Sequence, residues 1–297
     1  MEKSVSARIK LIVSMTIFGT LGLFVRNIPV SSGELALYRA VLATVLLGVV
    51  LLFTGQKIPV RELGRQLVLL LLSGAAMAFN WILLFQAYKY TTVSVATLSY
   101  YFAPVIVTLV CPIFFKEKMN VKKWLCFVMS TVGIVMITGI GEMSANSMHL
   151  IGIGFGLGAA CLYATVILLN KFIKDVSGIH RTFLQFMAAV IVLIPYVLLT
   201  SGVTVGTLAP VGWVNLLIVG LVHTGITYIL YFSSLKELPG QKVAILSYID
   251  PLMAVCVSVL ILREEFTLWQ ALGGLLILGF TLWNEITPKK IDMETKE

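Results

Sequence analysis

The chain has 297 residues, 59% of them hydrophobic and 12% charged, with a mean hydropathy of +0.98, a composition that excludes a water-soluble domain. A helix crossing a bilayer takes about 20 apolar residues, so ten spans consume about 200 and leave no room for a folded soluble domain. The net charge of +8 is scattered over short connections between apolar runs, so it reads as an orienting signal and not as a nucleic-acid surface.

In chain order the apolar runs predict spans near 9–27, 34–53, 67–88, 93–115, 124–140, 151–170, 182–200, 213–235, 243–262 and 268–286. The first run follows a few basic residues and carries no small-residue cleavage site, so it is expected to be a retained span. Turn and breaker residues fall between spans: Pro29 and Gly33, then Gly55 and Pro59, then Gly202 and Pro210. Cys111, Cys126, Cys161 and Cys256 all lie inside apolar runs without C-x-x-C spacing, which suits small buried residues better than a metal or redox site.

Basic residues set the orientation. One side of the alternating topology receives Lys3, Arg8, Lys10, Lys57, Arg61, Arg65, Lys116, Lys118, Lys122, Lys123, Lys171, Lys174, Arg181, Lys236, Lys242, Lys289, Lys290 and Lys296, while the other receives Arg26, Lys89 and Arg263. Basic short loops stay cytoplasmic, so both termini are expected inside the cell.

Offsetting the chain by 147 residues places Lys89 on Lys236, Tyr101 on Tyr248, Pro104 on Pro251, Val110 on Val257 and Glu117 on Glu264, with Lys116 meeting Arg263. The chain therefore divides into repeats at 1–146 and 147–297. Five spans per repeat is an odd number, so the second repeat must enter the membrane the other way up. The expected architecture is an all-α integral membrane protein of ten transmembrane helices in two inverted five-helix repeats. Inverted repeats place a binding site near the midplane and let the halves rock to open each side in turn.

Several residues resemble the EamA-type transporters of the drug/metabolite transporter superfamily: Phe18-Gly19-Thr20 in the first span, Arg39 in the second, the Pro104 and Glu117 pair, and Pro251, Glu264, Gln270 and Gly273 in the second repeat. The chain departs from the family pattern at Phe18, where a Trp is common. The resemblance covers nearly the whole chain and implies a bacterial inner-membrane carrier of small metabolites, often amino acids or related compounds, often working outward. It implies no particular substrate.

Asp250, directly before Pro251, is the most informative side chain. A carboxylate deep in a span costs about +2.5 to +3.5 kcal/mol on insertion scales, so it faces a cavity, finds a partner or stays protonated. Pro251 removes a backbone donor and frees a carbonyl near Ser247, as in a kinked helix lining a watery path. Two roles are open to Asp250, a cation or proton-coupling site and a structural carboxylate. Arg39, the basic residue well inside a span, either anchors an anionic group or pairs with Asp250 or with helix ends.

Further candidates lie along helix faces. Ser94, Thr97, Tyr101, Pro104 and Thr108 form one stripe in span four, and His223, Thr227, Tyr231 and Ser234 another in span eight, with Thr224 and Tyr228 beside it. Asn80 and Trp81 sit at mid-depth in span three, with Tyr88 beyond. Trp81, Tyr101 and Tyr248 can hold an organic ammonium by cation–π contact or serve as core aromatics; His223 is a proton acceptor or a packing residue. Gly152, Gly154, Gly156 and Gly158 lack the G-x-G-x-x-G and P-loop spacings and instead form small-x-x-x-small pairs. With no Walker motif, H-E-x-x-H, Gly-x-Ser-x-Gly elbow or zinc set in the sequence, ATP-driven transport and common hydrolytic chemistry find no support, and no cofactor is expected.

The reading that results is a carrier whose substrate site comprises Arg39, Asn80, Trp81, Tyr101, His223 and Tyr248, with Asp250 as coupling or cation site and protons as a candidate coupling ion. Its partners are a small-molecule substrate and membrane lipid, in a monomer or homodimer. Rival readings are an organic-cation or quaternary-amine carrier, a lipid-intermediate flippase, which needs a groove open sideways to lipid, and a membrane enzyme, which needs grouped acids or histidines.

Overall fold

Inside a bilayer each backbone donor and acceptor must be satisfied within its own segment, which is why apolar runs of this length fold as helices. The computed structural model describes residues 2–55, 63–115, 119–137, 147–173, 176–235, 237–238 and 240–286, and among them no strand occurs. The helices are α1 (Glu2–Gly19), α2 (Leu21–Val25), α3 (Ser32–Phe53), α4 (Arg65–Tyr90), α5 (Val93–Tyr100), α6 (Ala103–Phe115), α7 (Val121–Ile137), α8 (Ser147–Phe172), α9 (Gly178–Thr200), α10 (Pro210–Leu217), α11 (Thr227–Leu235), α12 (Gly240–Ser247), α13 (Ile249–Cys256) and α14 (Leu268–Ile286). Two π-helical pieces interrupt the later ones, Ile218–Ile226 between α10 and α11 and Val257–Ile261 after α13.

Among the described residues, seven stretches are long and apolar enough to cross a membrane: Val5–Val25, Ser32–Phe53, Arg65–Tyr90, Val93–Phe114, Ser147–Phe172, Gly178–Thr200 and Pro210–Leu235; Ile245–Ile261 and Leu268–Asn284 are shorter apolar helices. Side chains such as Leu52, Phe53, Leu199, Leu260 and Trp269 are exposed. In water such a surface would drive aggregation, whereas against acyl chains it is the ordinary outer face of a membrane bundle.

Close approaches fix the packing. Helix α4 runs along α8 and α9, α14 along α7, α3 along α9 and the first π segment, and α1 along α11 and α13. Where α7 meets α14, a Cβ on Gly273 would lie 2.5 Å from Gly133 O, so the two backbones touch. Of the glycines that open α8, Gly152 and Gly156 press on Thr91 and Ser99, but Gly154 faces open space. The pair Gly152 and Gly156 therefore makes close contacts at both members, whereas in the pair Gly154 and Gly158 only Gly158 does, with an added Cβ 3.1 Å from Leu83 Cδ1 of α4. Gln270 and Thr267 form a reciprocal capping box at the start of α14, with Thr267 N donating to Gln270 Oε1 at 3.0 Å and Gln270 N to Thr267 Oγ1 at 3.2 Å. Glu117 and Lys116, singled out by the repeat, lie outside the described residues.

Three expected spans are broken at mid-depth. The first divides at Thr20, whose hydroxyl donates to Ile17 O at 2.8 Å, between α1 and α2. The fourth divides at Tyr101–Phe102 and the ninth at Tyr248. Pro104 and Pro251 then sit in the first turns of α6 and α13, where a missing N–H costs nothing. The fourth span was expected as one continuous polar stripe. The helix breaks within it, where Pro104 cannot supply the N–H that would carry α5 onward, yet Thr97, Tyr101 and Pro104 of the stripe still face one cavity across the break.

Candidate functional site

The breaks converge on a cavity of about 530 Å³. Its walls come from α1 (Met15, Phe18), α2 (Leu21), α3 (Arg39), α4 (Trp81, Leu84, Tyr88), the α5–α6 break (Thr97, Tyr100, Tyr101, Pro104), α8 (Tyr163, Ile167), α11 (Tyr228, Tyr231, Leu235) and the chain from Leu238 through Val243, Ser247 and Tyr248 to Asp250. Seven tyrosines, Trp81 and Phe18 dominate, with one basic and one acidic side chain among them. Ligand sites in proteins have this make-up, apolar and aromatic walls with few polar groups to fix orientation.

Asp250 lies in the first turn of α13, directly after the break. Tyr101 Oη donates to its Oδ2 at 2.6 Å, joining the two repeats at their matching breaks. Gly19 backs this arrangement from the other side: a Cβ there would lie 2.5 Å from Asp250 O and 2.5 Å from Met253 Cβ, so only glycine lets α1 lie against α13.

Arg39 is 3% exposed. Its guanidinium lies 4.7 Å from the Trp81 ring centroid and 5.6 Å from that of Phe85, and Nε donates to Thr224 Oγ1 at 2.6 Å. Glu34, the acid nearest in sequence, accepts instead from Thr204 N, Thr204 Oγ1 and Val205 N at 2.7, 2.5 and 2.6 Å. Arg39 and Asp250 line the same cavity without an ion pair between them. The structural pairing of Arg39 with Asp250, one of the alternatives left open by the sequence, is therefore not formed.

Five expected site residues, Arg39, Trp81, Tyr101, Tyr248 and Asp250, thus surround one cavity. Two others do not. Asn80 Nδ2 donates to Ala159 O at 2.6 Å, bridging α4 to α8. His223, 1% exposed, stands with Nε2 2.9 Å from Thr20 Oγ1 and Nδ1 3.3 Å from Ile218 O, tying the first π segment to the α1–α2 break. One face of Trp81 is covered by Arg39 and is closed to a ligand ammonium. Tyr100, Tyr163 and Phe18 are walls that sequence reasoning passed over. The first adjoins Tyr101, and the second is an aromatic residue in a span otherwise rich in glycine.

A polar cluster joins the end of α2 to the α4–α5 junction and to the chain that follows α13. Arg26 forms an ion pair with Glu264 and its Nη2 donates to Thr91 O at 2.7 Å; Glu264 also accepts from Val93 N at 2.9 Å and from Ser258 Oγ. Lys89 Nζ donates to Val30 O at 3.0 Å. The cavity lining itself extends to Leu235, Leu238 and Val243.

An aromatic cavity at broken helices, inside an apolar helical bundle, defines a multi-pass membrane protein. The model of the EamA-like transporter family matches the chain twice, over residues 6–139 and 150–284. The chain is 33% identical to the uncharacterized transporter YxxF of Bacillus subtilis over 92% of its length and 88% of that protein, and 30% identical to an uncharacterized transporter of Archaeoglobus fulgidus over 93% and 95%. A solved crystal structure with 15% sequence identity shares the fold, with a TM-score of 0.63 over 95% of this chain and 97% of that one. The chain belongs to the EamA-like transporter family, and it is a membrane transporter.

Proposed function

We propose that this transporter is a secondary carrier of ten spans in two inverted repeats, which moves a small zwitterionic metabolite, an amino acid or related compound, out of a bacterial cell by alternating access. Both termini are then cytoplasmic, and the Arg26–Glu264 end is the closed outer side. The observation that carries the reading is the placement of Arg39 from the first repeat and Asp250 from the second around one cavity without pairing to each other. Two opposite, separately held charges suit a carboxylate at one end of a substrate and an ammonium at the other. Broken helices beside a midplane site are the usual architecture of such carriers.

A second reading is favoured by the aromatic walls: an organic amine, held by Asp250 and by tyrosine faces. Thermal stabilisation of the purified protein against amino acids, their amines, quaternary amines, sugars and nucleotides tests both, since a ligand of the folded state raises the melting temperature by mass action. A zwitterion carrier loses its hit in both Asp250→Asn and Arg39→Ala. An amine carrier loses it only in Asp250→Asn. No hit at millimolar concentration refutes both and turns attention to lipid-linked cargo.

A further inference from the structure

We infer that Thr224 is the specificity-determining positioning residue of the site, holding the Arg39 guanidinium in place as an anchor for a substrate carboxylate without neutralising it. The inference rests on the zwitterion reading above and goes beyond it.

The argument begins with backbone geometry. Thr224 lies in the π-helical piece Ile218–Ile226, where the backbone bonds to the fifth residue back and the threonine hydroxyls do the same. Thr224 Oγ1 donates to Val219 O at 2.8 Å, and Thr227 Oγ1 to Val222 O at 2.7 Å. A hydroxyl has a single proton. Once that proton is committed to Val219 O, Thr224 presents only lone pairs toward α3, and Arg39 Nε donates into them at 2.6 Å.

This bond fixes a charge that nothing else fixes by polar contact. Thr224 is the one hydrogen-bond partner of Arg39 among the described residues, and Nη1 is buried without any. The Trp81 and Phe85 rings flank the guanidinium with centroids 4.7 and 5.6 Å from its carbon, and the Nε bond adds directional restraint. A carboxylate in place of the hydroxyl would hold Arg39 equally well, but it would cancel the charge that attracts an anion. A neutral acceptor orients the cation and leaves its charge uncompensated inside a low-dielectric cavity, where an anionic ligand group gains most from it.

The segment lies tight against α3. Cβ atoms built on Gly220 and Gly225 would collide with Leu42 and Leu46, so backbone and α3 side chains are already in contact on both sides of Thr224. Through His223, adjacent to Thr224, the same segment contacts Thr20 at the α1–α2 break, and Gly19 abuts Asp250. The piece of chain that carries Thr224 therefore also sets the spacing between the cationic and anionic ends of the cavity.

The test uses two matched pairs of probes, leucine with isopentylamine and tyrosine with tyramine, each pair differing by one carboxylate. Binding is measured calorimetrically on the full chain in detergent. The wild-type protein is expected to prefer the amino acid of a pair by about tenfold or more, the scale of one charge-assisted hydrogen bond. Thr224→Val should erase that preference by raising the amino-acid Kd while leaving the amine Kd unchanged, and Thr224→Ser should restore it. In an Arg39→Ala background Thr224→Val should have no further effect on the preference, because Thr224 acts through Arg39. Thr224→Ala removes the same hydroxyl and is read in place of Thr224→Val should the latter not fold. A wild-type preference that survives loss of the hydroxyl overturns the role of Thr224 and leaves the zwitterion reading standing. Wild-type protein that binds neither probe of a pair, or both alike, overturns the carboxylate anchor and the role of Thr224 with it.

Discussion

Replacing Gly19 by alanine perturbs the site from behind, at an atom no ligand touches. The added Cβ would meet Asp250 O and Met253 Cβ at 2.5 Å and Ala254 N at 3.1 Å. Two of these three neighbours are main-chain atoms of α13, so no side-chain rotation relieves the clash. Restoring an ordinary 3.4 Å contact from 2.5 Å moves α13 and α1 apart by about 0.9 Å. Overpacking of this kind costs about 1–3 kcal/mol. If the movement fell along the Tyr101–Asp250 bond, its 2.6 Å would lengthen to about 3.5 Å, beyond a useful hydrogen bond. Gly19→Ala should therefore lower the melting temperature in detergent and weaken the ligand-induced stabilisation that depends on Asp250. Gly154→Ala is the control, because nothing lies within 4 Å of its added Cβ; with its helical backbone the change should be neutral or stabilising by up to about 1 kcal/mol. Equal melting temperatures for the two variants, with ligand binding intact in Gly19→Ala, would refute the close-approach argument.

Two other perturbations separate closure from packing. Glu264→Gln removes the charge that pairs with Arg26 and receives Val93 N, so it should cost about 1–3 kcal/mol and raise labelling of a Val93→Cys probe by impermeant maleimide in a background lacking the four native cysteines; unchanged labelling would show that this cluster does not hold the end shut. Asn80→Ala should lower the melting temperature by removing the bond to Ala159 O, about 1 kcal/mol, while leaving KM for transport in proteoliposomes as it was, whereas a raised KM would return Asn80 to the cavity.

The periodic and compositional signals carried the membrane class, the family resemblance and the residues at which to look, because lipid punishes every polar exception in a span. Asp250, Arg39 and the two Tyr-x-x-Pro breaks are such exceptions, and the structure puts them around one cavity. Helix rotation was not written in the same way. Whether the amide of Asn80 meets a cavity or the carbonyl of Ala159 is decided by how α4 turns against α8, a contact between residues 79 positions apart. His223 is similar, its environment being set by Thr20 at a distant break. Tyr100 was hidden by periodicity itself. On a continuous helix neighbouring residues point about 100° apart, but α5 ends at Tyr100, and both it and Tyr101 reach the cavity. The π segment had no sequence signal beyond Gly220 and Gly225, whose meaning depends on Leu42 and Leu46 across the interface.

The repeat supplies a scaffold, and departures from the repeat supply the chemistry. Tyr101 and Tyr248 match across the 147-residue offset, as do Pro104 and Pro251, and in each half the helix breaks at that tyrosine. The residue matching Asp250 is Ala103, fully buried. Tyr101 therefore finds a carboxylate in the opposite repeat, whereas the position that matches Asp250 in the first repeat carries only a methyl group. A pair of equivalent acids facing each other across the axis would repel one another in a low-dielectric cavity and drive one to protonate. One acid, bonded to the hydroxyl of the other half, avoids that repulsion and gives the cavity a distinct anionic side. Arg39, stacked on Trp81 and held by a neutral hydroxyl, supplies the cationic side. In the zwitterion reading proposed above, a substrate bound between them is oriented by charge, which two equivalent halves could not achieve by themselves.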